Sequence, residues 1–148
     1  MIRPRRVCAL LVVIVIAPVV ASCSQLPFHD ESYRTRIPAA IEGANLGISN
    51  SWSGVSLDGF SETLNVGGNI DLAAQPGQRI SPEFLSELLD VVLSNDPPPS
   101  KYIEISLRDA EDESIDLDDA LRDLTASARS DGSISVDEAR RISSEDTH

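Results

Sequence analysis

Leu64-Asn65-Val66-Gly67-Gly68-Asn69-Ile70-Asp71-Leu72 decides the fold, together with the later stretch Ser81-Pro82-Glu83-Phe84-Leu85-Ser86-Glu87-Leu88-Leu89-Asp90-Val91-Val92. In the first, Leu64, Val66, Gly68, Ile70 and Leu72 alternate with Asn65, Gly67, Asn69 and Asp71, the period of a half-buried strand. In the second, Phe84, Leu85, Leu88, Leu89, Val91 and Val92 recur at helical spacing and form an apolar face broad enough to pack on a sheet. Ser81 is placed to cap that helix, Pro82 suits its first position, and Glu83 suits its positive end. Ile80 is spaced to staple onto Leu85. Asn95-Asp96-Pro97-Pro98-Pro99 stops the helix and stiffens the connection that follows.

Working upstream, Val55 and Leu57 alternate with Ser56, and Asp58-Gly59 supplies a turn, so 46–72 reads as a β-hairpin. Ile48 and Trp52 fall on the other parity from Val55 and Leu57, which calls for a bulge near Ser53-Gly54. Trp52 is expected to fill the core or cover an edge. Gly67-Gly68 lacks the spacing of a phosphate loop and is assigned to strand packing or a bulge. Residues 37–44 read as a short helix, with Pro38 in its first turn and Gly43 as its stop.

Downstream, Ile103, Ile105 and Leu107 face inward on a third strand, with Tyr102, Glu104 and Ser106 outward. Residues 109–114 (DAEDES) form an acidic loop, and Asp116 is placed to cap a helix carrying Leu117, Ala120, Leu121 and Leu124. The stretch 114–120 (SIDLDDA) is echoed by 133–139 (SISVDEA), each with a capping residue and an acid three positions on. Ser143 to His148 should fray. The expectation is α+β: a small antiparallel or mixed three-stranded sheet with a helix on one face, part of a ferredoxin-like plait lacking its first strand.

The N-terminus has a different character. Arg3, Arg5 and Arg6 precede an apolar run from Val7 to Val20, too short to span a membrane as a helix and typical of a secretory signal. It closes on Val20-Ala21-Ser22-Cys23. This resembles the lipobox of bacterial lipoproteins at all four positions: an aliphatic residue, two small residues and the cysteine. The resemblance covers the first 23 residues and implies that the Cys23 sulfur receives a diacylglycerol and that cleavage leaves Cys23 first in the mature chain. Two acyl chains anchor stably where one does not. The expected organisation is a lipoprotein signal peptide at 1–22, a tether at 23–36 containing His29 and Tyr33, an α+β domain at 37–128, and a C-terminal helical extension at 129–148.

Cleavage before Cys23 would leave 126 of the 148 residues, one domain's worth. All 24 acidic residues lie in that part, with nine of the twelve basic ones, so its side-chain charge is nine less 24, or −15. Such a surface repels phosphate, which argues against nucleic acid and against lying flat on anionic lipid. It favours solubility.

Catalytic chemistry has few candidates. Cys8 goes with the signal and Cys23 with the lipid, so no thiol remains; the two histidines are His29 and His148. Ser-His-Asp and Cys-His catalysis and zinc sites lose their players, and no cofactor is implied. Paired carboxylates leave an envelope hydrolase as one alternative. Calcium is another. In the twelve positions from Ser127 to Glu138, Asp131-Gly132-Ser133-Ile134 followed by Glu138 resembles the second half of an EF-hand loop, with Gly132, Ile134 and Glu138 at the sixth, eighth and twelfth positions. However, Arg129 stands at the third, where a carboxylate should coordinate. The leading expectation is a lipid-anchored domain on the extracytoplasmic face of a cell membrane, non-catalytic, with a binding or structural role toward an envelope protein partner.

Overall fold

Ser81 and Asp58-Gly59 divide the chain much as their chemistry dictates. The computed structural model describes residues 30–124 and 127–145. Helix α1 (Tyr33–Gly43) leads into strand β1 (Ile48–Asp58), which returns as β2 (Ser61–Ile70). Helix α2 (Pro82–Ser94) carries the chain to β3 (Tyr102–Arg108). Helix α3 (Asp118–Asp123), strand β4 (Ile134–Ser135) and helix α4 (Val136–Glu145) complete it.

The class is α+β, and the sheet is mixed, with four strands in the order β1-β2-β3-β4. The fourth strand corrects the expected three. β2 and β3 are parallel and directly adjacent, from Thr63↔Tyr102 to Asn69↔Arg108. A ferredoxin-like plait is a split β-α-β unit with another strand between the parallel pair. The sheet therefore lacks the interleaving of the expected plait.

The hairpin turn is Gly59-Phe60, since Asp58 pairs with Ser61. Gly59 has φ 60°, the left-handed value that a two-residue turn needs at its first central position. The bulge lies at Asn50-Ser51, upstream of the expected Ser53-Gly54. Ser49 pairs with Asn69 and Trp52 with Gly67, so β1 carries one residue more than β2 there. Asn50 takes φ 51°, a conformation asparagine tolerates better than most residues. The bulge sets Ile48 opposite Ile70 and Val55 opposite Leu64 on one face, with Trp52 on the other.

Ser81 caps α2 as expected: its Oγ accepts from the Phe84 amide at 3.2 Å. Phe84, Leu85, Leu88, Leu89 and Val92 are buried against Leu64, Val66, Ile103 and Leu107 of the sheet in one core. Ile37 and Ile41 of α1 and Ala139 and Ile142 of α4 join the same cluster, so the helices form one layer on one sheet face.

Three boundaries move. Helix α1 begins at Tyr33, inside the expected tether, and Tyr33 is buried with Ile37 and Ile41 at successive turns. Pro38 lies inside this helix rather than in its first turn, and the left-handed residue after its end is Asn45 (φ 58°), two positions past Gly43. Helix α3 starts at Asp118: Asp116 accepts from the Asp118 amide at 2.8 Å in a local turn and leaves Leu117 at the cap. The expected extension at 129–148 supplies β4 and α4, whose Ile134, Ala139 and Ile142 are core, and α4 stays helical through Ser143 to Glu145.

Candidate functional site

Cys23, His29 and His148 lie outside the described residues, as does the whole Val20-Ala21-Ser22-Cys23 box. Within them, three regions combine exposure with chemical character: the uncovered sheet face, a cleft beside α1, and the hairpin tip.

The uncovered face follows from the register. Residues opposite the core on β2 and β3 are Thr63, Asn65, Gly67, Tyr102, Glu104 and Ser106. Trp52 reaches this face from β1 and lies across Gly67. A Cβ at Gly67 would collide first with the Ser106 carbonyl oxygen of β3 and would fall 2.6 Å from the indole Cζ2 and 2.7 Å from Cε2, so the missing side chain makes room for both the strand backbone and the ring. The neighbouring Gly68 serves the other face, where a Cβ would meet the Ile48 methyl at 2.5 Å. Strand packing, one of the two roles expected for this pair, is thus its role on both faces. Asn65 donates to the Ser56 hydroxyl at 2.9 Å. Arg129 stands 4.4 Å and Lys101 5.3 Å from the centre of the Tyr102 ring, a double cation–π contact at the far side. Trp52 keeps 44 % exposure. This face presents a flat aromatic ring beside hydroxyl, amide and carboxylate side chains.

The cleft, about 380 Å³, runs between the start of α1, β1–β2 and the triple proline. Asp30, Glu31, Glu62 and Asp96 line it, with Arg36 as its cation. The guanidinium is committed: Nε donates to the Asn95 carbonyl at 3.0 Å and Nη2 to the Asp96 carbonyl at 2.7 Å. It therefore ties the end of α2 to α1. The Ser32 hydroxyl and amide, with a smaller contribution from Arg36, hold the Asp30 carboxyl below the usual carboxylate range. A proton donor for hydrolysis needs the opposite shift.

The calcium-like stretch is used structurally. The Gly132 amide donates to the Arg129 carbonyl at 2.9 Å, closing a turn in which Gly132 has φ 80°. Asp131 accepts from the Ser133 amide and hydroxyl, which lower its pKa, as does Arg129 to a lesser degree. Glu138 is gripped by Arg141 through Nη2 at 2.7 Å and Nε at 3.0 Å, and this bidentate pair is the main cause of its lowered pKa. Arg141 also donates to the Leu124 carbonyl at 3.1 Å. Ile134, at the eighth position, pairs with Ile103. The acidic loop 109–114 is built similarly: Asp109 accepts from the Glu111 and Glu113 amides, and the Ile115 amide donates to Leu107. The echo between 114–120 and 133–139 is thus two loop–bridge–helix units laid against β3. Ser135 caps the second, accepting from the Glu138 amide at 3.2 Å.

Sequence reasoning passed over Arg36, Arg141 and the hairpin tip. Arg141 stood three residues after Glu138, a helical pairing distance. Arg36 had no signal, because its partners are carbonyls 59 and 60 positions away. At the tip, Leu57 is 70 % exposed and Phe60 fully so. Comparison with protein-family models, curated proteins and solved structures finds no match for this chain.

Proposed function

We propose that this chain is a membrane-anchored extracytoplasmic lipoprotein with a non-catalytic binding role in the cell envelope. The observation that carries the reading is the order of Arg3-Arg5-Arg6, the apolar run and Val20-Ala21-Ser22-Cys23. A cysteine in that setting is a thiol nucleophile flanked by the small residues that acylation and cleavage require. Helix α1 starts ten residues after Cys23 and is already part of the core, so the folded unit would sit close to its anchor.

The non-catalytic half draws on the carboxylates. The resolved shifts, at Asp30, Glu83, Asp131 and Glu138, are all downward, each caused chiefly by donors to the ionised form. Carboxylate hydrolysis calls for one acid pushed upward. The surface we assign to an envelope protein partner is the sheet face bearing Trp52, whose ring is seated and half exposed, as binding aromatics are.

Cys23→Ala is the test of anchoring: the variant should leave the membrane fraction, and full retention of unlipidated protein would contradict the proposal. A photo-crosslinker at Ser56 should capture an envelope protein in cells, and Trp52→Ala should abolish that capture. Capture that is indifferent to Trp52 would remove the sheet face from the reading.

A further inference from the structure

We propose that the tip of the β1–β2 hairpin is a second membrane contact, in which Leu57 and Phe60 insert shallowly into the leaflet that holds the lipid anchor; this rests on the lipoprotein reading above.

Gly59 satisfies the backbone at the first central position of the two-residue loop, and nothing in the turn's geometry calls for an aromatic at the second. Phe60 nevertheless stands there fully exposed, with Leu57 at 70 %, while among the described residues the other large apolar side chains apart from Trp52 are at least partly covered. A phenyl ring and an isobutyl group at the end of a rigid two-stranded ribbon form a wedge that neither the core nor the turn uses.

The chain enters the domain close to this hairpin. Asp30, Glu31 and Tyr33 line the same cleft as Val55 and Glu62, and the Ser53 hydroxyl donates to the Tyr33 carbonyl at 3.0 Å. Glu62 pairs with Leu57, and Phe60 is two residues from Glu62, about 7 Å along the strand. The entry of the chain and the tip are therefore at one end of the molecule. Seven residue steps separate Cys23 from Asp30, a reach of at most about 25 Å. An anchor at Cys23 holds the tip beside the bilayer, where insertion becomes effectively intramolecular and two side chains suffice.

Charge selects the kind of contact. Asp58 and Glu62 flank the turn, and Asp30 and Glu31 line the cleft with Glu62, against Arg36 in that cleft and Lys101, whose amide donates to the Glu62 carbonyl; this end is net acidic, so anionic headgroups are not favoured. The occupant is the apolar boundary of a neutral bilayer, and the contact resists salt.

The test uses the full acylated protein in phosphatidylcholine vesicles. With Cys23 acylated, Ser61→Cys, next to Phe60 at the turn, supplies the one free thiol of the mature chain for an environment-sensitive fluorophore and keeps both Leu57 and Phe60. Ala110→Cys is the matched control: Ala110 is exposed and lines a hollow with Gly47 and Asn69, at the opposite end of the hairpin. The probe at 61 should shift to the blue and be quenched by nitroxide-labelled acyl chains several-fold more than the probe at 110. Adding Leu57→Ser and Phe60→Ser should bring the probe at 61 down to the level of the control; quenching unchanged by that pair shows that the dye and not the tip inserts and overturns the contact. Equal, weak quenching at both positions with Cys23 acylated by mass spectrometry overturns the contact and leaves the anchor standing. An unmodified Cys23 overturns the anchor and the contact together. Shielding at 61 that arises only with added envelope proteins assigns the tip to a protein and overturns the lipid contact.

Discussion

Gly67 and Gly54 are both strand glycines, yet their surroundings set opposite outcomes for the same substitution. A methyl group at Gly67 collides with the Ser106 carbonyl oxygen and the Trp52 ring, whereas one at Gly54 meets nothing within 4 Å. Gly67→Ala should cost about 1–3 kcal/mol through overpacking, and Gly54→Ala should be neutral or stabilising by roughly 0.5 kcal/mol. Urea unfolding of both variants checks the pair, and equal effects would refute the close packing at Gly67. Glu138 supplies a second test at this scale. Its folded pKa lies below the ordinary 4.5, first because Arg141 bonds the ionised form. Below 4.5 the unfolded chain takes up the proton more readily, so this stabilisation is complete above that value and is lost as pH falls through the folded pKa. Glu138→Gln should therefore flatten the acid limb of a stability–pH curve, while a limb of unchanged steepness would deny the pair its role. Such details were only partly legible in the sequence. The Ser81 and Ser135 caps are local and could be read, whereas the Trp52–Gly67 contact depends on a one-residue bulge whose position the side-chain pattern left open.

Helix α2 packs against both α1 and α4, the first and last helices among the described residues. Leu88 is almost wholly buried, and Leu88→Ala should destabilise by about 2–5 kcal/mol, measured by thermal or urea melting. Its Ser86 hydroxyl donates to the Ile142 carbonyl at 3.1 Å, a buried link to α4. Deleting 129–148 removes Ile134, Ala139 and Ile142 from the core, so the shortened chain should lose its cooperative transition. Retention of a sharp transition would return that segment to the status of an extension. The sequence concealed this role because β4 is two residues long, too short for a period to register, and α4 has only two core side chains. Tyr33, Ile37 and Ile41 did carry a helical spacing. Pro38 within it pointed to a later start, since proline usually opens a helix.

At the scale of the molecule, the described residues form one sheet covered on one face by a packed helical layer, with an open face around Trp52 and an apolar hairpin tip beside the entry of the chain. The α+β class was readable from the strand at Leu64–Ile70 and the helix at Pro82–Ser94. The strand order was not, because adjacency of β2 and β3 is decided by long-range packing rather than by either strand's own pattern. The proposed site is divided in the same way. Cys23 is legible as a linear motif, while the tip becomes meaningful only once the hairpin and the chain entry are seen at one end. The central claim is the lipid anchor, and intact-mass spectrometry of protein extracted from its native membranes tests it most directly. The account predicts a chain beginning at Cys23 and carrying diacylglycerol; an unacylated chain, whether it begins at Met1 or at a cleaved residue, would contradict it.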